Sequence, residues 1–381
     1  MIAESSISWE ELEAAMNSAF SVKTRIGPRR SVKRIGEGNG FLSTIYRIDL
    51  DWQGSEDGGK TPPKTCALKV SSLGVVEDLF EIIGSSDKKH LKEYYARSMA
   101  DNELFFYSKI GEFGLERVRT PRFYCGRKFD GKTSFLAMEL LEKASICHIY
   151  DMSSEAQILA VLDQCAMVNG KSLSHVETIA KCIDAGFYDQ LVEDFNTKEK
   201  TAAGILRLME RFLRTRNIIL RSGKRIARST CCAKEISGPP NVMWKKEGNE
   251  ADLMGILDWQ LVHLGNPLED VFKWISLTIQ PEDYTSRRDF YLKFYYEALL
   301  RYADGKEIPW SSLEEFISAF ELMYVWQTAL YCRIVANTGD MLFDGMTDSE
   351  KEPLKRLYHG KFFKMLDEAA RIIDLRAQEI L

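Results

Sequence analysis

A lysine set in the middle of an apolar run constrains this chain more than any other feature. Thr65-Cys66-Ala67-Leu68-Lys69-Val70 reads as a buried strand, and an ammonium taken out of water without an anionic partner is costly. A fold that uses this strand must bring a carboxylate to Lys69. The helical stretch from His90 to Ile110 offers one. Tyr94, Tyr95, Met99, Leu104 and Tyr107 suggest its packed face, and Glu103, 34 residues beyond Lys69, is well placed on it. The span leaves room for a loop and a helix that leads back to the strand. A lysine snorkelling at a strand edge, with a solvated glutamate, would also satisfy the pattern.

The segments around this strand are strand-like too. Ser31 to Ile35 and Ser43 to Leu50 flank a turn in which Gly36, Gly38 and Gly40 alternate with other residues. Glycine lets backbone amides approach phosphate oxygens closely, so such a hairpin suits a nucleotide's phosphates, although glycine-rich turns are common and this one departs from Gly-x-Gly-x-x-Gly. Pro121 to Gly126 starts a second hairpin, and Ser134 to Glu142 reads as a buried strand running into a connector. Beyond it the period changes from two to 3.6. Glu155–Leu173 and Thr201–Leu220 carry apolar residues at helical spacing, and the remainder from Leu268 is helical in pattern. Trp274, Phe290, Phe294, Tyr295, Phe316, Phe320, Tyr324 and Trp326 are its expected core. At the start, Ser8-Trp9-Glu10-Glu11 is a capping-box pattern ahead of a helix to about Phe20.

A second pair of residues points to metal chemistry. Asn241 closes a short loop, Val242-Met243-Trp244 is strand-like, a charged turn follows, and Gly255-Ile256-Leu257 ends in Asp258. Their separation of 17 residues fits a hairpin that brings both oxygen ligands to one end. Magnesium takes hard oxygen ligands, often only one or two from protein and the rest from water and phosphate. Asn and Asp are also common turn residues, so any hairpin can be flanked by two of them.

Composition narrows the classes. The 381 residues, 45% hydrophobic and 28% charged, suit a soluble protein with room for two lobes. A net charge of −5 argues against non-specific nucleic-acid binding. No apolar run approaches a membrane span, and Met1 to Glu11 lacks the order of a signal peptide, so the expectation is a cytoplasmic protein without membrane or nucleic-acid partners. The eight cysteines form no Cys-x-x-Cys pair and read mostly as small buried hydrophobes in a reducing compartment.

Taken in order, glycine hairpin, strand lysine, helix glutamate, connector, helical block, Asn loop and Asp after a strand resemble the choline kinase and aminoglycoside phosphotransferase superfamily. Within it the chain resembles the CHK-kinase-like, or ecdysteroid-kinase-like, group. The echoes are Ile35 to Ser43, Asn102-Glu103-Leu104-Phe105-Phe106-Tyr107, Asn241-Val242-Met243-Trp244 and Leu257-Asp258-Trp259-Gln260. The resemblance implies an α+β, two-lobed protein-kinase-like fold: a small mixed lobe with an antiparallel sheet over residues 1–141, and a larger, mainly helical lobe over 142–381. It implies ATP and magnesium between the lobes, and a small-molecule hydroxyl as acceptor. Gly36, Gly38 and Gly40 would cover the phosphates, Lys69 would hold them and Glu103 would orient Lys69. The backbone of the connector, at Glu139 and Leu141, would meet the adenine, while Asn241 and Asp258 would ligate magnesium. Asp270 matches the structural acidic residue that follows the metal Asp.

One departure falls at the catalytic base. The superfamily carries His-Gly-Asp-x-x-x-x-Asn, in which the Asp accepts the proton of the substrate hydroxyl. Five positions before Asn241 stands Ile236, which cannot accept a proton, with Glu235 beside it. None of the five histidines lies in that loop. Upstream, Arg221 to Cys232 is basic and poorly apolar where a buried strand should lead into the loop. Two explanations stand: a degenerate, non-catalytic member, or a segment translated out of register. Taking the third base of each codon with the first two of the next from Cys231 to Pro240, degenerate codons permit Leu-x-x-Gly-Asp-Leu-Trp-Ser, with its Asp at the expected distance from Asn241. The function classes are therefore an ATP-dependent small-molecule O-phosphotransferase lacking its base, or a pseudokinase-like binder of nucleotide or small molecule.

Overall fold

The Ser8 hydroxyl accepts the Glu11 amide at 3.0 Å and so starts α1 (Trp9–Phe20). Trp9, Leu12, Met16 and Phe20 recur at helical spacing and are buried. Each contributes about 1.5–3 kcal/mol of hydrophobic stabilisation. They pack against Tyr46 and Ile48, Cys66, Leu68 and Val70, and Phe135 and Ala137. Those residues alternate along the strands they occupy, so one face of a sheet is spent on α1.

The computed structural model describes residues 1–36, 43–54, 61–82, 89–183, 231–233, 238–246, 252–338, 343 and 345–376. The sheet under α1 is built from β2 (Ser31–Ile35), β3 (Thr44–Asp49), β5 (Thr65–Ser72), β6 (Phe123–Arg127) and β7 (Thr133–Met138), in the order β2-β3-β5-β7-β6. Every neighbouring pair is antiparallel. A two-stranded ribbon of β1 (Arg25–Ile26) and β4 (Trp52–Gln53) adjoins in sequence. Two more helices complete this part, α2 (Leu73–Ile82) and α3 (Lys89–Lys109). The chain divides into two units: Met1–Lys109 with Thr120–Lys143, and Ile110–Arg119 with Ala144–Leu381.

The second unit is mainly helical. It contains α4 (Glu155–Ser172), α5 (Val176–Cys182), α6 (Leu268–Thr278), α7 (Tyr284–Ala303), α8 (Leu313–Thr338) and α9 (Asp348–Leu375). Its strands are short: β8 (Ala144–Ile146), β10 (Val242–Lys245) and β11 (Leu253–Ile256) form one antiparallel sheet, and β9 (Cys231–Ala233) pairs with β12 (His263–Gly265). The basic stretch that reads as unsuited to a sheet therefore ends in one short strand. A Cβ on Gly170 would lie 2.8 Å from backbone atoms of Tyr302 and Ala303, so α4 and α7 approach at a distance that only glycine permits.

The segment Ile110–Arg119 belongs to the second unit although it separates α3 from β6. Ile256 donates its amide to Arg119 O at 2.8 Å, Arg119 donates its own to Gln164 Oε1 at 2.7 Å, and the ring of Phe113 stacks on His175 at 4.6 Å. Trp274, Tyr295, Phe316, Phe320 and Tyr324 are core, as their spacing suggests, but Phe290 is 43% exposed. The Arg287 guanidinium lies 4.6 Å over the Phe290 ring and covers part of it. Among the described residues no helix is long and apolar enough to cross a membrane.

Candidate functional site

β5 is buried on both faces, and alternation decides what each face meets. Cys66, Leu68 and Val70 point at α1, which leaves Ala67 and Lys69 for the opposite side. There the Lys69 ammonium donates to Glu103 Oε2 at 2.7 Å. Lys69 is 8% exposed and Glu103 1%, so the pair sits in a low-dielectric setting where neither charge is tolerable alone. The structure thus brings together the two residues that the apolar run requires to meet. Gly36 ends the β2–β3 ladder with φ of +72°, a conformation that disfavours any side chain, while no atom crowds its Cβ position closer than 4.0 Å. Glycine is required there by backbone angle. Gly38 and Gly40 lie outside the described residues.

β7 ends at Met138, and the connector follows. The Glu139 amide donates to Arg122 O at 2.8 Å, while the Glu139 carboxylate accepts the Arg122 amide at 3.2 Å. The Glu142 amide donates to Leu140 O at 2.9 Å. Among the described residues none hydrogen-bonds the Leu141 amide, which leaves the edge of this connector with a donor to offer.

In the second unit the hairpin of β10 and β11 pairs Val242 with Ile256 and Met243 with Gly255. That register places Asn241 and Asp258 at the same end, closed by the Leu257 amide donating to Asn241 O at 2.8 Å. The Asn241 amide donates to Asp258 Oδ2 at 3.3 Å, and the Gln260 amide donates to the same oxygen at 3.3 Å. Asp258 adopts φ of +63°, a left-handed conformation uncommon outside glycine and one that clusters at functional positions. Its neighbour anchors it: Trp259 is buried and donates Nε1–H to Ile256 O at 3.0 Å.

The donor set suits magnesium. Two neutral N–H groups crowd one carboxylate oxygen, where a cation would sit instead, and half a turn of the Asn241 amide presents its oxygen. Among the described residues no three His, Cys, Asp or Glu side chains gather as a metal-binding group, so the pair would supply only two protein oxygens.

Asp270 opens α6, buried. Asn169 donates Nδ2–H to its Oδ2 at 3.4 Å, and the Tyr295 hydroxyl donates to Asn169 Oδ1 at 2.7 Å. This chain of buried polar groups ties α4, α6 and α7 together. Gln260 and Asn169 escape sequence reasoning. Gln260 had only its position two residues after Asp258 to mark it. Asn169 had a clearer signal, a polar residue followed by glycine inside the apolar run Ala166-Met167-Val168. Ile236 and Glu235 lie outside the described residues.

The model of one protein family, DUF1679, whose description reads "Uncharacterized oxidoreductase dhs-27", matches residues 2–221 and 239–376. The chain belongs to the DUF1679 family. Oxidoreductases with the doubly wound dinucleotide fold use a mostly parallel sheet, whereas every strand pairing among the described residues of this DUF1679 member is antiparallel. The solved structure of a candidate aminoglycoside phosphotransferase from Ralstonia eutropha JMP134 is similar over 96% of this chain and 98% of that one, with 14% identity and a TM-score of 0.51. Spectinomycin phosphotransferase APH(9)-Ia, solved with ADP and spectinomycin, gives 12% identity and a TM-score of 0.45 over 97% and 99%. Macrolide 2'-phosphotransferase MphH from Brachybacterium faecium gives 14% and 0.38 over 92% and 97%. No curated protein matches by sequence. The first of these likenesses carries the fold: this DUF1679 protein has the α+β, kinase-like architecture of the phosphotransferases.

Proposed function

We propose that this DUF1679 protein is built as an ATP-dependent phosphotransferase of small-molecule hydroxyls, in the CHK-kinase-like group, and that the sequence as it stands lacks the catalytic base. The observation that carries this reading is the buried Lys69–Glu103 pair at 2.7 Å on a central antiparallel strand. A buried ion pair is weak evidence for stability, because apolar residues fill such a site at least as well. Its retention here is better explained by a lysine held ready for phosphate.

In this reading Gly36, Gly38 and Gly40 cover the phosphates, and Lys69, oriented by Glu103, holds them. The Glu139 carbonyl and the Leu141 amide receive the adenine edge. Asn241 and Asp258 hold magnesium, and Gln260, already bonded to Asp258 Oδ2, fixes that carboxylate's orientation. Magnesium, when bound, would draw off charge developing on the transferred phosphoryl group. Asn169, Asp270 and Tyr295 form the buried polar support of the helical unit. The setting is a reducing cytoplasm, consistent with the free thiols of Cys66, Cys125, Cys147, Cys165 and Cys182.

The missing base is a local defect. The family match stops at Arg221 and resumes at Pro239, so the interruption spans the very residues in which the base is due. On both sides the family pattern continues. A single displaced reading frame alters one stretch and spares its flanks, whereas gradual loss of function relaxes a whole site. We therefore read residues 222–238 as out of register, and sequencing the transcript across them decides it: an in-frame match to Lys234-Glu235-Ile236 refutes that reading. The second reading, a nucleotide or small-molecule binder without turnover, is favoured by Ile236 itself.

A thermal-shift titration with ATP tests the core of the proposal. Magnesium and ATP together should raise the melting temperature. At a hundred times the dissociation constant the gain is about 2.7 kcal/mol. Asp258→Asn should abolish the magnesium-dependent part. No shift with ATP at millimolar concentration, with or without magnesium, refutes nucleotide binding. Phosphotransfer then separates the two readings, since losing a positioned base costs roughly 10²–10⁴ in rate.

A further inference from the structure

α9 buries Tyr358, Phe362, Met365, Ala369 and Ile372, which recur at helical spacing and fix the side that packs on the rest of its unit. On the opposite side Arg356, Gly360, Phe363 and Asp367 follow one another at intervals of four, three and four residues, so they form one stripe along the helix. Two of the four are out of place on a face that meets only water. Phe363 is 66% exposed, against 43% for Phe290, which Arg287 covers, and among the described residues no ring or cation lies over Phe363. Gly360 sits near the middle of α9, where glycine is a poor helix former. A Cβ there would meet nothing within 4 Å, so no described residue asks for the missing side chain. The other two are exposed charges. Arg356 donates to Glu352 O of its own helix at 3.4 Å, and among the described residues no carboxylate pairs with Arg356 and no cation with Asp367.

The stripe is complementary to itself. Because its spacings read the same in both directions, turning it end for end sets Arg356 against Asp367 and Gly360 against Phe363. A two-fold axis passing between positions 361 and 362 repeats each match on the other side of the axis. We infer that this face of α9 is a self-association surface on which a second copy of the chain packs antiparallel, with Phe363 of each copy over Gly360 of the other and Arg356 of each against Asp367 of the other. Glycine at the crossing lets the two helices approach until a ring covers bare backbone, an approach that a side chain at position 360 would hold off. Charge selects the antiparallel arrangement, since a parallel pair would set arginine against arginine and aspartate against aspartate. Charge also favours a second copy over an unrelated partner, because this chain already carries the matching order of cation, gap, ring and anion. One helix from each copy makes a contact smaller than those of permanent dimers, so the association is reversible and falls in the micromolar range. The inference does not depend on nucleotide binding.

Sedimentation equilibrium of the full chain across the micromolar range is the test. The parent should pass from monomer to dimer as concentration rises and go no further, since a two-fold contact closes on itself. Phe363→Gln should weaken self-association by about tenfold or more, the loss expected of a central aromatic anchor. Gly360→Gln should weaken it too, while the melting temperature of the dilute chain stays level or rises, because the helix loses its glycine. Asp367→Arg should abolish the dimer by setting cation against cation. The double variant Arg356→Asp/Asp367→Arg should restore it, the charge order being exchanged on both copies. That rescue separates a lost contact from a lost fold, which a second substitution on an exposed face would not repair. A parent that stays monomeric at every concentration, leaving the face to another protein or to water, overturns the inference. So does a dimer indifferent to Phe363→Gln, or a double variant that associates no better than Asp367→Arg alone.

Discussion

Replacing Lys69 by methionine is the sharpest test of the central strand. The side chain keeps most of its apolar stem and loses its charge, so Glu103, 1% exposed, is left with its 2.7 Å partner gone. An exposed ion pair is worth about 0–1 kcal/mol. Breaking a buried one costs roughly 3–5 kcal/mol, because the remaining charge cannot return to water. With exposures of 8% and 1%, the second figure applies. At about 2–4 °C per kcal/mol for a domain of this size, the single variant should melt roughly 6–20 °C below the parent. The double variant Lys69→Met/Glu103→Leu should recover most of that loss, since an apolar pair of similar volume commonly replaces a buried ion pair without penalty. Both variants should fail to respond to ATP. Thermal melts of the three proteins, followed by nucleotide titration, give the answer. A single variant within about 1 kcal/mol of the parent, the range of an exposed pair, would refute the reasoning. A double variant no better than the single one would do the same.

Two further outcomes follow from packing and charge. Gly170→Ala should lower the urea midpoint by an overpacking cost of about 1–3 kcal/mol, because the added carbon meets backbone of α7 at 2.8 Å and backbone cannot swing aside; an unchanged midpoint would mean that α4 and α7 are not held that closely. Burial alone would raise the Glu368 carboxyl, but hydrogen bonding from Arg371 and the Arg288 charge outweigh it and hold it below the usual range. A lowered folded value means stability that is present above the ordinary glutamate pKa of about 4.3 and lost as pH falls through the folded value. Glu368→Gln should therefore be less stable than the parent at pH 7, and the gap should narrow as the pH drops below about 4. A gap that stays constant down to pH 3 would dissociate Glu368 from the Arg288 and Arg371 network.

What the sequence made legible was whatever local chemistry enforces. Ser8 announces its helix because an exposed N-terminal amide wants a nearby hydroxyl, and the Asn241–Asp258 hairpin follows from strand alternation around a charged turn. The Lys69–Glu103 contact was readable despite its separation, since a charge in an apolar run has few ways to be satisfied. Phe290 shows the limit. Helical spacing puts it with the core aromatics, yet the packing of α7 turns it outward under Arg287, and nothing local records that choice. Gln260 and Asn169 were hidden for the same reason, as their partners Asp258, Asp270 and Tyr295 are assigned by tertiary structure. The expected helix over Thr201–Leu220 lies outside the described residues.

The excursion of Ile110–Arg119 has a practical consequence. A protein cut after Lys143 would not release a self-sufficient N-terminal half, because the piece would carry away Phe113, Leu115 and Val118, all buried in the intact chain, on an unpacked stub. The chain passes between the halves three times, where a simple tether would pass once. Evolution or a protein engineer could swap loops within either half, but recombining the halves at a single junction would leave a sticky remnant on one product and a gap in the other.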